Sequence, residues 1–140
     1  MAKKVTKKFI NELTYEVNAA IIEVHKILGP GLLEAVYHKC LEHELKIREV
    51  GFVSEFNFPF SYKSLDLTID FRCDLLIENC LMLELKAVQE VIPYFKAKLI
   101  GHMKMAEIPK GLLINFNVSN IMKEGLWVCK NDYYDNLDEY

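Results

Sequence analysis

The 140-residue chain lacks several features that would place it in whole classes of protein. No stretch approaches the roughly 20 apolar residues that a membrane span needs, and the N-terminus leads into a charged amphipathic segment rather than a signal peptide. No internal repeat, low-complexity tract or linker divides the sequence. We therefore expect a single cytoplasmic domain over residues 1–140, without membrane association, whose 51% hydrophobic content suffices for a buried core.

Two further absences concern metal-binding cysteines and positive charge. The four cysteines show no CxxC or CxxxH spacing, so neither zinc nor disulfides are implied. The net charge is −3 with a pI near 5.8, whereas proteins that bind nucleic acid through phosphate contacts are usually basic. Local clusters of basic residues could still be sufficient for phosphate contacts. The basic ones are Lys3, Lys4, Lys7 and Lys8 and then Lys96, Lys98 and Lys104, and the acidic one is Asp132, Asp135, Asp138 and Glu139.

What the sequence does contain is an ordered pattern of helices and strands. Thr6 can cap a helix that ends near residue 28 at Gly29-Pro30-Gly31, and a second helix is expected from 32 to about 49. A strand over 52–62, interrupted at Pro59, turns into strands over 67–77 and 81–88. A helix over 93–107, strands at 111–116 and 126–129 and a polar tail complete the chain. This order predicts an α+β fold with a mixed sheet.

The two central strands can be paired from the letters alone. Ile69, Phe71, Cys73, Leu75 and Ile77 share one face of the first strand, and Leu81, Leu83, Leu85 and Ala87 share one face of the second. If Glu78-Asn79-Cys80 forms a three-residue loop, with Asn79 near the left-handed region, Leu81 opposes Ile77 and all the apolar positions meet on one side. Glu84 then falls opposite Asp74, on the polar face of the hairpin. A two-residue loop would shift the register by one and bury the charge.

Two carboxylates that face each other across a strand pair favour a cation between them. Their repulsion raises the pKa of at least one of them unless a cation intervenes. Mg²⁺ or Mn²⁺ suits such oxygen ligands and can also hold a phosphate oxygen. Lys86, two residues beyond Glu84 on the same face, could hold or deprotonate an attacking water and stabilise the charge of a phosphorane. This arrangement indicates metal-assisted phosphodiester cleavage.

The alternative is a solvated sheet face on which Asp74 forms an ordinary ion pair with Arg72 or Lys86. The ExK spacing within a strand is a weak signal that does not exclude this. The predicted register also sets Arg72 opposite Lys86, however, and a like-charge pair has no evident use on a plain solvent face. An anion-binding face has a use for it, so Arg72 is a candidate substrate-binding residue.

Four ordered motifs carry a resemblance to a known family. They are Gly29-Pro30-Gly31 running into Gly31-Leu32-Leu33-Glu34-Ala35-Val36-Tyr37, then Arg72-Cys73-Asp74-Leu75-Leu76, Glu84-Leu85-Lys86-Ala87 and Gly111-Leu112-Leu113-Ile114-Asn115-Phe116. Over nearly its whole length the chain resembles the GxxExxY family within the PD-(D/E)XK nuclease-like superfamily. The resemblance implies a restriction-endonuclease-like core. It also implies that Asp74 and Glu84 are metal ligands, that Lys86 is the catalytic lysine and that Glu34 is a further acidic ligand reaching in from a helix.

The helical residues near this site follow the superfamily pattern only in part. Relatives with an exonuclease-type site often carry a Gln-x-x-x-Tyr pair on the helix after the ExK strand, and Lys98 and His102 stand at these positions here. They are four apart and share a helix face, so they could bind substrate phosphate. Tyr37 lies three residues after Glu34 on the same face of the second helix, and we therefore include it among the candidate substrate-binding residues.

Two hypotheses of different classes follow from the sequence. The first is a nuclease that depends on Mg²⁺ or Mn²⁺ and acts on nucleic acid, with DNA as the expected partner. The second is a catalytically inactive nuclease-like domain that acts as a nucleic-acid-binding or protein-binding module. The complete set of three acids and a lysine favours the first hypothesis. Lys98, His102 and the acidic pI favour the second, and the oligomeric state is left open by both.

Overall fold

The first helix follows from a capped segment with one broad apolar face. In the computed structural model, which describes residues 4–67 and 72–140, helix α1 spans Lys7–Leu28, and the side chain of Thr6 accepts a hydrogen bond from the amide of Phe9. This confirms the predicted cap. The helix ends at Gly29, whose φ of 67° lies in the left-handed region that favours glycine.

The second helix, α2, is shorter than predicted at both ends. It spans Glu34–Ile47 rather than 32–49. Leu33 is the N-cap residue and provides no side-chain cap, so Leu32 and Leu33 belong to the loop after α1. Buried residues of α2, namely Tyr37, Leu41 and Leu45, pack with those of α1 in one core cluster.

The predicted interruption of the strand over 52–62 at Pro59 is confirmed, but the two parts are separate strands in different sheets rather than one strand. β1 spans Phe52–Asn57 and belongs to the main sheet, whereas β2 (Phe60–Tyr62) pairs with β3 (Leu65–Leu67) in a small antiparallel sheet of its own. Pro59 lies between β1 and β2, and proline has no amide hydrogen for a sheet. The predicted strand over 67–77 is described only from Arg72, since 68–71 lie outside the described residues.

The main sheet has five strands in the order β1-β4-β5-β6-β7. The remaining elements are β4 (Arg72–Ile77), β5 (Leu81–Lys86), α3 (Pro93–Ala106), β6 (Lys110–Asn115), α4 (Ile121–Glu124), β7 (Leu126–Lys130) and α5 (Asp132–Asp135). β5 and β6 are parallel and the other neighbours are antiparallel, so the sheet is mixed. The predicted α+β fold with a mixed sheet flanked by helices is confirmed, although α4 and α5 were not predicted.

The predicted hairpin register is confirmed. Ile77 pairs with Leu81 across the loop, and Glu78 and Asn79 both have positive φ, 48° and 58°. The amide of Cys80 donates to the carbonyl of Ile77 at 3.0 Å. The ladder of β4 and β5 runs from this pair to Leu75 and Leu83.

Helices cover both faces of the sheet. Leu75, Leu83 and Leu112 lie in the core cluster under α1 and α2, whereas Leu76, Met82 and Leu113 pack with Leu99 and Met103 of α3 in a second cluster. The hairpin face that the sequence predicted to be polar is therefore largely covered. Cys73 also differs from the prediction, because it belongs to the second cluster rather than to the cluster of Leu75 and Ile77. Within the described ranges, no helix has the length and apolar character to cross a membrane.

Candidate active site

Asp74 lies where two central strands part. Beyond Leu75 and Leu83 the backbone pairing of β4 and β5 stops, and the amide of Leu85 donates instead to Oδ2 of Asp74 at 2.7 Å. On the other side of β4, Glu55 in β1 has a φ of 51°, and the ladder of β1 and β4 skips the position of Asp74. The half-buried carboxylate thus occupies a gap in the sheet and holds the backbone just after Glu84.

Glu84 is a buried acid, with only 5% of its surface exposed. Burial, and after it the nearby Asp74 carboxylate, raises the pKa of its carboxyl to about 7, although Lys98, Lys86 and a backbone hydrogen bond from Asp74 oppose the rise. The described ladder ends at the Leu75–Leu83 pair, so the predicted pair of Asp74 and Glu84 is not part of it, although both residues lie one position beyond its end. An acid that is buried beside another acid is poised to accept a cation.

Glu34 approaches this pair from the first turn of α2. The pKa of its carboxyl is raised overall. Desolvation contributes most to the rise and the Asp74 carboxylate next, while Lys86, His38 and Lys98 oppose it in that order. The residue as a whole keeps an exposed surface, as expected of an acid at the open side of a site. Glu34 therefore lies in the same electrostatic environment as Asp74.

Lys86 is held beside the acids by an aromatic ring. Its Nζ lies 4.3 Å from the centroid of the Phe95 ring, close enough for a cation–π interaction. In the part of the chain that the structure describes, no ion pair within 4.0 Å joins Asp74 to Arg72 or Lys86. The alternative of an ion-paired, solvent-facing sheet is thus not what is found. Phe95 was not predicted as a site residue, since an aromatic residue in a helix usually signals packing.

The predicted substrate-binding residues lie in different environments. Lys98 is half-buried on α3 and faces the acids, as its influence on Glu34 and Glu84 indicates. His102, one turn further along, lies at a steep angle to the Phe58 ring with the two ring centroids 5.6 Å apart, and burial together with Lys98 lowers its pKa. Arg72 is exposed at the start of β4 and pairs with Asn57. The described ladder ends before it could pair with Lys86, so the predicted cross-strand pair is not part of it.

Tyr37 differs most from its predicted role. It is fully buried, its ring stacks on Phe116 with centroids 4.5 Å apart, and its hydroxyl donates to the carbonyl of Gly29 at 2.6 Å. The same hydroxyl accepts a hydrogen bond from the amide of Leu32 at 3.1 Å. A side chain with no exposed surface cannot contact substrate directly. The tyrosine instead fixes the loop that leads to Glu34.

Asn115 is a second residue near the site that was not predicted. Its buried amide group accepts a hydrogen bond from the amide of Val88 and donates one to the Val88 carbonyl, both at 3.0 Å. These contacts fix the chain directly after Lys86. An asparagine that ends a buried apolar strand is the sequence signal that could have identified it.

The fold and the site together define a class of protein, a restriction-endonuclease-like domain with two coupled carboxylates and a lysine at a gap in a mixed sheet. A family model for the PD-(D/E)XK nuclease superfamily matches residues 11–127. The chain belongs to this superfamily. No curated protein and no solved structure matches it.

The residues of the site are compatible with the divalent metal that this superfamily implies. Within residues 4–67 and 72–140, no group of three or more His, Cys, Asp or Glu side chains is arranged so that it could hold a metal ion. Two carboxylates completed by a backbone carbonyl and waters are, however, a common ligand set for Mg²⁺. The burial of Glu84 beside Asp74 supplies such a pair of hard oxygen donors.

Proposed function

We propose that this protein is a nuclease that depends on a divalent metal, Mg²⁺ or Mn²⁺, and hydrolyses phosphodiester bonds in DNA. The observation that carries the proposal is the buried Glu84 beside Asp74, at the gap between β4 and β5, in a chain of a nuclease superfamily. DNA is proposed as the substrate because of the resemblance to restriction-endonuclease-like proteins.

Each residue of the site has a specific task in this proposal. Asp74 and Glu84 would hold the metal, with Glu34 as a further acidic ligand, and the metal would supply Lewis acidity toward the phosphodiester. Lys86 lies beside the acids and can hold a water molecule by hydrogen bonding, or stabilise negative charge on phosphate oxygens. Phe95 holds the Lys86 ammonium without neutralising it, so its charge stays available to the substrate. Lys98 and Arg72 would bind neighbouring phosphates.

A cleavage assay with single-residue variants tests the proposal. Wild type should cut labelled oligonucleotides in Mg²⁺ or Mn²⁺. Lys86→Ala should lower the rate by about two to four orders of magnitude while leaving the fold intact, because it removes one electrostatic and proton-handling group. Glu84→Ala should lower both the rate and the metal affinity.

The matched control is Lys104→Ala, which removes an exposed lysine of α3 that has no resolved influence on the acids of the site. Its rate should equal that of wild type. If single-stranded, double-stranded and branched DNA and RNA all remain uncut in both metals, or if the cutting survives Lys86→Ala, the nuclease proposal is wrong.

A second candidate function is a nuclease-like binding module without catalysis. It is favoured by the absence, among the described residues, of a preformed three-residue metal cluster, and by Lys98, whose charge already lowers the pKa of Glu84. The double variant Lys98→Gln, His102→Tyr restores the pair that is found in exonuclease-type relatives. An inactive wild type that gains metal-dependent cleavage in this variant would support the second candidate.

A further inference from the structure

Several of the exposed apolar side chains in the described residues lie in or just before the first turns of two helices, while others are spread over the rest of the surface. At the start of α2, Leu32, Leu33 and Val36 have 40%, 76% and 38% of their surface exposed. At the start of α3, Ile92 and Tyr94 are 42% and 64% exposed. Single exposed apolar residues are normal on protein surfaces, but a group that belongs to the same functional region calls for an occupant.

Both helix starts border the candidate active site. Glu34 lies in the sequence between Leu33 and Val36, and its pKa responds to Lys86 and Lys98, which ties the first turn of α2 to α3 and β5. Tyr94 directly precedes Phe95, the residue that holds Lys86, and their ring centroids are 6.4 Å apart. The start of α3 is therefore linked to the site by contacts through Phe95 and Lys86, and the start of α2 by the charge interactions of Glu34.

The charge of the protein argues against a duplex as the occupant. Backbone binding to a duplex needs many cations, yet the chain has a net charge of −3. Among the described residues, Lys86 and Lys98 act on the charge of Glu84, and Arg72 lies two residues before Asp74 in β4. Two of the N-terminal lysines, Lys4 and Lys7, are paired with acids of the C-terminal tail. A few cations beside exposed apolar and aromatic side chains match an unpaired strand, because its bases offer flat apolar faces for stacking.

We infer that Tyr94, together with the apolar residues of the two helix starts, stacks on unpaired bases next to the phosphate at the active site, so that the substrate is single-stranded nucleic acid or the single-stranded end of a duplex. This inference rests on the proposed nuclease function and specifies its substrate class. Tyr94 is a specificity-determining residue in this arrangement, and Lys86 and Lys98 bind the phosphates that lie between the stacked bases.

Fluorescence anisotropy with a labelled 15-nucleotide single strand and with the matching duplex tests this. It is measured first in EDTA, to prevent metal-dependent cleavage, and then with Mg²⁺ in the Lys86→Ala variant. The single strand should bind more tightly than the duplex. Tyr94→Ala should weaken binding of the single strand by about 5-fold to 100-fold, the loss typical of one stacked base. Tyr94→Phe should bind within about twofold of wild type, because it keeps the ring.

The matched control is Tyr15→Ala on α1, which removes a tyrosine that is 74% exposed and belongs to a different element. It should leave the binding of both DNAs unchanged. Equal affinity for strand and duplex, unchanged strand binding in Tyr94→Ala, or no binding to the strand at all would each overturn the inference. In the last case the apolar surface would be assigned to a protein partner.

Failure of this inference can be told apart from failure of the proposed function. If the strand binds through Tyr94 but no DNA is cleaved by wild type, the substrate assignment stands and the catalytic proposal fails. If DNA is cleaved through Lys86 without a preference for unpaired strands and without an effect of Tyr94→Ala, the catalytic proposal stands and the substrate assignment fails.

Discussion

At the scale of single residues, Glu84 is the position where function and stability conflict. The pKa of its carboxyl is raised from 4.5 to about 7 in the folded protein. Since the folded state holds the proton more tightly than the unfolded state, this residue favours folding fully below pH 4.5, and that contribution is lost as the pH rises through about 7. Near neutral pH the carboxylate is therefore buried at a cost, which a bound cation would offset.

This conflict predicts a metal effect on stability that depends on pH. At a pH above 7, adding Mg²⁺ at about ten times its dissociation constant should raise the melting temperature by about 5 °C, as mass action requires. The rise should shrink at pH 5.5, because the proton on Glu84 then competes with the metal. Differential scanning fluorimetry at several pH values measures it.

Asp74→Asn should abolish the rise, because it removes the second carboxylate of the pair. The control, Asp66→Asn, makes the same chemical change at an exposed position in β3 and should keep the full effect. An equal rise in Asp74→Asn and wild type would mean that Mg²⁺ binds elsewhere.

At the scale of elements, the loop between α1 and α2 explains the GxxExxY signature. Tyr37 reaches back from α2 and binds the backbone of Gly29 and Leu32, which lie on either side of the turn. Gly31, inside this turn, has a φ of 96°, a conformation that residues with a side chain rarely adopt. The glycine allows the turn and the tyrosine fixes it, so that Glu34 begins α2 in a defined position.

Removing only the Tyr37 hydroxyl tests whether this group fixes the turn before α2. Tyr37→Phe keeps the ring on Phe116 but leaves the Gly29 carbonyl and the Leu32 amide without their partner, which should lower the free energy of unfolding by about 1–3 kcal/mol. Urea denaturation measures the change, and Tyr133→Phe, at an exposed position of α5, is the control. An unchanged free energy of unfolding would show that the hydroxyl does not hold the loop.

The hairpin of β4 and β5 was predictable because its apolar alternation and loop chemistry agree. A shift by one residue would have moved Glu84 to the face away from Asp74, among the apolar side chains, so only one register satisfied the sequence. The division of 52–62 into β1 and β2 was not predictable to the same degree, since Pro59 is equally compatible with an interruption and with an edge strand. That α3 covers this face of the hairpin depends on tertiary packing of Leu99 and Met103 against Met82, which strand alternation does not report. Tyr37 was assigned to substrate because helical spacing gives a shared face but not burial.

At the scale of the whole molecule, the termini neutralise each other. The amides of Lys7 and Lys8 donate to the carbonyls of Asp138 and Glu139 at 2.9 and 3.0 Å, so the tail closes the first turn of α1. The ammonium groups of Lys4 and Lys7 lie 2.9 and 3.3 Å from the carboxylates of Asp138 and Glu139. Lys4 also lowers the pKa of Asp138. The basic cluster near the N-terminus is thus occupied in part by the acidic tail, whereas Lys86, Lys98 and Arg72 take part in none of the ion pairs found in the described residues.

This charge distribution predicts a weak dependence of DNA binding on salt. If Lys86, Lys98 and Arg72 make the phosphate contacts, the logarithm of the association constant for a single strand should fall with the logarithm of salt concentration with a slope of about −2. Anisotropy titrations between 50 and 300 mM salt, in EDTA, measure this slope.

The double variant Asp138→Asn, Glu139→Gln releases Lys4 and Lys7 and should steepen the slope by up to about 1.4. The control variant Asp132→Asn, Asp135→Asn changes the net charge by the same amount but removes acids for which no pairing with a lysine is found in the described residues, so its slope should stay near −2. A slope steeper than about −4 in wild type would show that the N-terminal lysines contact DNA despite their acidic partners.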